Sequence, residues 1–405
     1  MLFMKNIFRV FLSMLLLIAT SIAANGQSNT GLVQQAYKLN AITTAVPFLL
    51  IVPDARGGAM GDGGVATTPD AASTFFNAAK LPFIKQQFGF EATYTPWLNQ
   101  LAKDINLSYL TGFYKLDDNQ TIAGSVRFFS LGQVNFTNDQ GQDIGSYKPN
   151  EFAVDAFYAR KFTDHFAMSV GLRYIYSNLT GGIYVAGAQT KAGQSVATDV
   201  DFFYSTETQW FKIPVDVAFG AAFTNIGAKI SYTENYERAF LPQNLRLGPS
   251  FKFKLDDMNT MLFTVDLQKL LVPTPPIYLK DSTNQNVVDD NGNLIIEKGK
   301  DPNRSIVNAI FTSFYDAPDG FKEEFHEINY SVGLEYWYAN QFALRTGFFY
   351  EHPTKGNRKF FTLGAGLKYN VFGLDFSYLI PIEQRNPLEN TLRFSLIFYF
   401  EKAKK

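Results

Sequence analysis

Hydrophobic and polar side chains alternate along most of this chain with a period of two. Across residues 371–381, Phe372, Leu374, Phe376, Tyr378 and Ile380 share one face, and Gly373, Asp375, Ser377 and Leu379 share the other. Phe166, Met168, Val170, Leu172 and Tyr174 oppose Ala167, Ser169, Gly171 and Arg173 in the same way. Successive side chains of a strand point to opposite faces, so the pattern predicts strands. Fourteen such segments are expected, at about 87–95, 104–115, 119–130, 150–161, 164–176, 211–223, 226–236, 243–254, 259–270, 323–339, 341–352, 359–369, 371–382 and 389–400. They suit a tilted strand crossing a bilayer, which needs roughly 9–11 residues, better than a soluble strand of about 5–6.

The two faces separate a soluble sandwich from a membrane barrel. A sandwich packs its apolar face against a second sheet, whereas an outer-membrane barrel turns that face to lipid and lines its lumen with the other. Here the minor face holds Gly, Ser, Thr and Asn with single charges, among them Arg127, Asp155, Arg173, Asp216, Arg246, Asp266, Glu335, Arg345, Lys368, Asp375 and Arg393. Opposite signs on neighbouring strands are expected to pair across a narrow lumen. They either knit the interior or mark a substrate path. Connections after even-numbered segments are short and those after odd-numbered ones often long, as in barrels with periplasmic turns and extracellular loops. The expected fold is a 14-stranded antiparallel transmembrane β-barrel (residues 87–400) with both ends on the periplasmic side, an N-terminal plug (27–86) and a short tail (401–405).

Composition agrees. Forty Phe and 21 Tyr stand in a chain of 405 residues with 18% charged residues and a formal net charge of −1. That charge argues against bulk nucleic-acid binding. The absence of cysteine excludes disulfides, thiolate zinc sites, iron–sulfur clusters and cysteine nucleophiles. Met1–Gly26 reads as a Sec signal peptide: Lys5 and Arg9 precede an apolar run, and small residues follow. The run is short for a transmembrane anchor of roughly 20 residues.

The plug region carries Val46–Val52 and then a glycine-rich run. Gly61, Gly63 and Ala66 fit a dinucleotide-binding pattern, but no βαβ unit follows, so the run reads as turn-rich packing inside the lumen.

The stretch AITTAVPFLLIVPDARGGAMGDGGVATTPDAAS (41–73) resembles the N-terminal signature of the PorV (LptO) family, outer-membrane shuttles of the type IX secretion system of Bacteroidetes. SFYDAPDGFKEEFHEINYSVGLEYWY (313–338) is similar to a second segment of that family. The family lies within the FadL-like barrels, so the resemblance implies fourteen strands and a plug. It also implies partners: the translocon SprA (Sov), cargo proteins bearing C-terminal signal domains, the attachment complex with the sortase PorU, and lipopolysaccharide of the outer membrane. Barrel and plug alone are compatible with a FadL-like transporter of hydrophobic small molecules, and the second family name with a lipopolysaccharide deacylation factor.

Two expected loops are long enough to need a task. Loop 177–210 ends in Phe202, Phe203, Tyr204 and Trp210, suited either to protein contact or to an outer aromatic girdle. Loop 271–322 holds Ile306, Val307, Ile310, Phe311 and Phe314 at helical spacing, predicting an amphipathic helix over about 304–315. It either packs on the rim or docks translocon or cargo. The Asp289–Asn293 turn misses calcium-loop spacing. His165 is expected at a short turn, His326 and His352 at the opposite end, and neither HExxH nor GxSxG occurs. The expectation is a binding protein without cofactor or metal, not an enzyme.

Overall fold

The computed structural model describes residues 39–98, 102–137, 140–182, 184–185, 188–233, 238–383 and 386–401. The expected signal peptide, the start of the plug region and residues 402–405 lie outside the described residues. Fourteen antiparallel strands close into a barrel. In chain order they are β1 (Phe88–Pro96), β2 (Ile105–Lys115), β3 (Gln120–Leu131), β4 (Asn150–Lys161), β5 (Phe166–Asn178), β6 (Gly193–Trp210), β7 (Ile213–Gly227), β8 (Asn244–Lys254), β9 (Asn259–Leu270), β10 (Asn329–Tyr338), β11 (Phe342–Tyr350), β12 (Lys359–Tyr369), β13 (Phe372–Pro381) and β14 (Leu392–Phe400). β1 pairs with β14 from Phe88↔Phe400 to Tyr94↔Phe394. Closure satisfies the backbone groups that an open edge would leave bare to lipid.

The expected faces are observed. Val170, Leu172 and Tyr174 are exposed on the outer wall, and Ser169, Arg173 and Ser177 are buried inside it. The lumen charges pair between neighbouring strands. Arg173 Nε meets Asp155 Oδ1 at 2.5 Å and its Nη2 meets Asp199 Oδ2 at 2.9 Å; Arg127 reaches Asp155 at 3.3 Å. Further round the same wall Arg345 joins its cross-strand partner Glu335 at 2.7 Å and Asp375, two strands on, at 2.6 Å.

Two of the expected segments are corrected, and the errors cancel in the count. Residues 193–210, expected as loop, form β6, paired with β5 and β7. The expected strand 226–236 is not found among its described residues (226–233): β7 ends at Gly227, and Ile230 forms an isolated antiparallel bridge with Ala239. Ile230 and Leu241 are instead buried with Val46, Phe48 and Leu49 beneath the rim. A third correction is smaller. Residues 323–326, expected as the start of a strand, lie in a helix that runs Phe321–His326.

The segment from Asn40 to Ile84 lies against the inner faces of the strands. It contains two short helices, α1 (Ala55–Ala59) and α2 (Ser73–Phe76). Its backbone is bonded around the wall. Ala55 N donates to Ser395 Oγ at 2.9 Å, Gly61 N to Thr362 Oγ1 at 2.9 Å, and Ala78 N to Asp201 Oδ2 at 3.0 Å. Arg127 donates to Leu49 O, and Arg393 to Val52 O. Arg56 links α1 to Glu335 at 2.7 Å and to Asp70 at 2.6 Å. Glycine allows the approach: a Cβ on Gly347 of β11 would run into the Gly61 nitrogen, and Gly61 itself has φ +68°. The nucleotide-like turn is already occupied by a protein anion. Gly64 N and Val65 N both donate to Asp266 Oδ2, at 2.7 and 2.9 Å.

Candidate functional site: the long-connection rim

The short turns at one end of the barrel leave little surface. The turn Phe211–Lys212 joining β6 and β7 has both residues in the left-handed region, and Phe211 is 90% exposed. The opposite end carries the long connections, and the longest, residues 271–328, joins β9 to β10. It contains a small hairpin (Ile277–Tyr278 with Ile296–Lys298) and two helices, α3 (Ile306–Thr312) and α4 (Phe321–His326). Ser305 caps α3 by accepting from Asn308 N. Arg304 fixes the helix to the following turn through Thr312 at 2.5 Å and Asp316 at 3.3 Å.

The expected helix of 304–315 is therefore observed, shorter by a few residues. Ala309 is buried under it, Ile306 and Ile310 are half-buried, and Val307, Phe311 and Phe314 are exposed, Phe311 to 68%. One edge of the apolar stripe packs and the other faces outward. Phe202, Phe203, Tyr204 and Trp210 do not join this site. They lie on β6, because their backbone pairs with β5 and β7. Phe203 points inward, 2% exposed, and meets Phe83 edge-on at 5.2 Å. Tyr204 is on the outer wall. Trp210 sits beside Phe251 and Phe253 at the short-turn end, away from the long connections.

Three acids on and just after α4 organise the rim. Lys269 of β9 bonds Glu324 at 3.0 Å and Glu327 at 2.6 Å. Lys355, between β11 and β12, bonds Glu323 at 2.6 Å and Glu327 at 2.9 Å. Asn40 Nδ2 donates to Glu323 Oε1 at 2.9 Å, which ties in the N-terminal segment. Glu324 Oε1 accepts from the backbone nitrogens of Asp316 and Ala317, and Glu323 Oε2 from that of Asp319. These bonds explain why an Asp-Ala-Pro turn, Gly320 and paired glutamates occur together: Gly320 takes φ +71°, and the glutamates close the turn. The motif stands out in the sequence, but the roles of Lys269, Glu327 and Lys355 do not, because their distances in sequence hide their meeting.

Electrostatics at the rim follow from burial and these partners. Burial pushes the Glu323 carboxyl up, but bonds from Lys355, Asp319 N and Asn40 outweigh it and hold it below the usual range. Burial pushes the Asp316 carboxyl up to about 6. His326 and His352 stack face to face, ring centroids 3.5 Å apart and 6° from parallel. Burial lowers both imidazoles; Lys322 and Lys355 add to it at His326, and His326, Lys359, Lys355 and Lys322 at His352. In parallel rings the nitrogen lone pairs lie in separate planes, so the pair does not chelate one metal ion, and among the described residues no group of three metal-ligating side chains is found. A cavity of about 380 Å³ opens here, between Ile42–Ile51 and the β9–β12 wall, with Glu327, Lys355 and Arg358 in its lining.

Residues 34–277 match the family described as "Type IX secretion system protein PorV". No curated protein matches the chain. Similar solved structures include the toluene transporter TodX of Pseudomonas putida, 12% identical, covering 90% of this chain and 100% of that one with a TM-score of 0.49. The toluene transporter TbuX of Ralstonia pickettii is 11% identical, covering 90% and 100% with a TM-score of 0.47. A FadL homologue of Pseudomonas aeruginosa is 11% identical, covering 89% and 99% with a TM-score of 0.41.

Proposed function

The chain belongs to the family of type IX secretion system protein PorV, and on that premise we propose that it is the outer-membrane shuttle of such a system. In this reading it receives cargo by its C-terminal signal domain as cargo leaves the SprA translocon. It then delivers the cargo to the attachment complex containing the sortase PorU. It works as a binding protein, not as an enzyme, and reaches the outer membrane through Sec export. The family match carries the reading.

The rim supports it physically. A shuttle needs a surface that partners can bind and leave, and α3 offers Val307 and Phe311 outward on a frame locked by Lys269, Glu324 and Glu327. A rigid frame avoids the ordering cost that a loose loop would pay on binding. The lumen supports it from the other side, since the chain's own segment lies in it and charges such as Glu335, Asp266 and Arg127 are bonded to that segment. Affinity purification from native membranes tests the reading. Recovery of the translocon, or of cargo with C-terminal signal domains, is expected; recovery of neither, with the barrel intact, rejects it.

A further inference from the structure

The outer wall of the barrel is bare over most of its circumference. Leu172 is 62% exposed and Leu363 is 50% exposed, as befits side chains that meet lipid. Near the long-connection end of β8 and β9 it is not bare. Leu245, Leu247 and Leu267 belong to the same outward rows but are half-covered, because α4 and Phe314 fold down over them. The cover does not seal. A groove of about 250 Å³ remains between helix and wall, lined by the three leucines, Phe314, Phe325 and Ile328.

The chemistry of the groove is one-sided. Its polar neighbours lie at the rim end, and the cation among its lining residues, Lys269, is held by Glu324 and Glu327. The bonded acids also fix the roof, so the groove is a built slot and not a gap between mobile parts. Phe321 and Phe325 stack edge-on at 5.4 Å and are exposed on the side continuous with the lipid-facing wall. Water gains no partners in an apolar slot, and the medium that reaches this face is the bilayer.

We propose that this groove holds one acyl chain of an outer-leaflet lipid, clasped between α4 and the outer wall of β8 and β9. Leu267 lies three residues from the end of β9 at Leu270, which sets the site just below the rim, at the depth of the outer leaflet. The chain enters from the membrane plane, its methylenes contributing through burial against the leucines and phenylalanines. The occupant also gives α4 a fixed seat at the base of the exposed α3. This inference does not rest on the secretion reading; it needs only the barrel in its membrane.

The test uses the full-length protein in mild detergent with added lipid A, the acyl-bearing part of lipopolysaccharide, read by native mass spectrometry. The wild-type chain is expected to retain a single lipid. Leu247→Trp fills the groove and should lower the lipid-bound fraction by about tenfold, a change of one decade in affinity. Leu363→Trp, on the bare wall, should leave it unchanged. Leu267→Phe fills the groove more gently and should act in the same direction if Leu247→Trp fails to assemble. No retained lipid in the wild type, equal retention in the filled variants, or equal loss in the Leu363→Trp control would each overturn the proposal.

Discussion

Arg56, inside the barrel, and Phe311, on α3, are treated in opposite ways. Arg56 is buried, and its guanidinium meets Glu335, Asp70 and Thr68. Phe311 is 68% exposed on a short helix whose other edge packs. At Arg56 the lumen pairs a group that is expensive to bury, whereas at Phe311 the rim leaves bare a group that is favourable to bury. A residue that is fully answered within its own chain holds the fold; one left unanswered on a rigid frame is free for a partner.

Glu335→Ala should have the largest effect. It strips a carboxylate from both Arg56 and Arg345 and leaves buried cations short of a partner, a loss of about 3–5 kcal/mol, read by thermal unfolding in detergent. Stability within ~0.5 kcal/mol of wild type would mean that the lumen network is not what holds the interior segment. Gly347→Val comes next. Its side chain pushes into the Met60–Gly61 backbone, and overpacking of this kind costs about 1–3 kcal/mol. Limited proteolysis should show earlier cutting between Pro53 and Ser73, while an unchanged digest would show that the wall yields instead.

Acidification should loosen the rim more than the lumen. His326 and His352 are both held below the ordinary histidine value of 6.5, so the separated rings bind protons first as pH falls. The stack is complete above that value and is lost as pH drops through the depressed folded values. Hydrogen exchange on α4 should therefore rise on going from about pH 7 to about pH 5, with the strands unchanged. The same exchange at both pH values would remove the stack as a tie. The smallest effect on stability belongs to the pair Val307→Ser and Phe311→Ser. Unfolding should stay within ~0.5 kcal/mol of wild type, as for surface positions without buried contacts. A larger loss would mean that α3 packs and does not display.

Much of the barrel is legible in the period-two pattern, because lipid outside and a polar lumen inside impose opposite chemistry on alternate residues. The pattern breaks where a strand faces something other than lipid or polar lumen. Phe202-Phe203-Tyr204 reads as a loop-end cluster, since three aromatics in a row mask the alternation; Phe203 continues the inward row of Asp199 and Asp201 and packs there on Ala79 and Phe83 of the interior segment. Residues 226–236 fail the other way. Their apolar positions look lipid-facing, but Ile230 closes over Phe48 and Leu49. At the rim the amphipathic period of α3 is readable, whereas the meeting of Lys269, Glu327 and Lys355 is not. Residues 58 and 28 positions apart come together there because β9, β10, β11 and β12 pair side by side.

The central claim is that this chain carries cargo from translocon to attachment complex. The most direct measurement follows one cargo protein in cells lacking the chain, with surface-attached cargo quantified by protease shaving. The account predicts that attached cargo disappears without the chain, returns with the wild-type chain, and does not return with Val307→Ser/Phe311→Ser although that variant assembles in the membrane. Normal attachment in cells lacking the chain would contradict it.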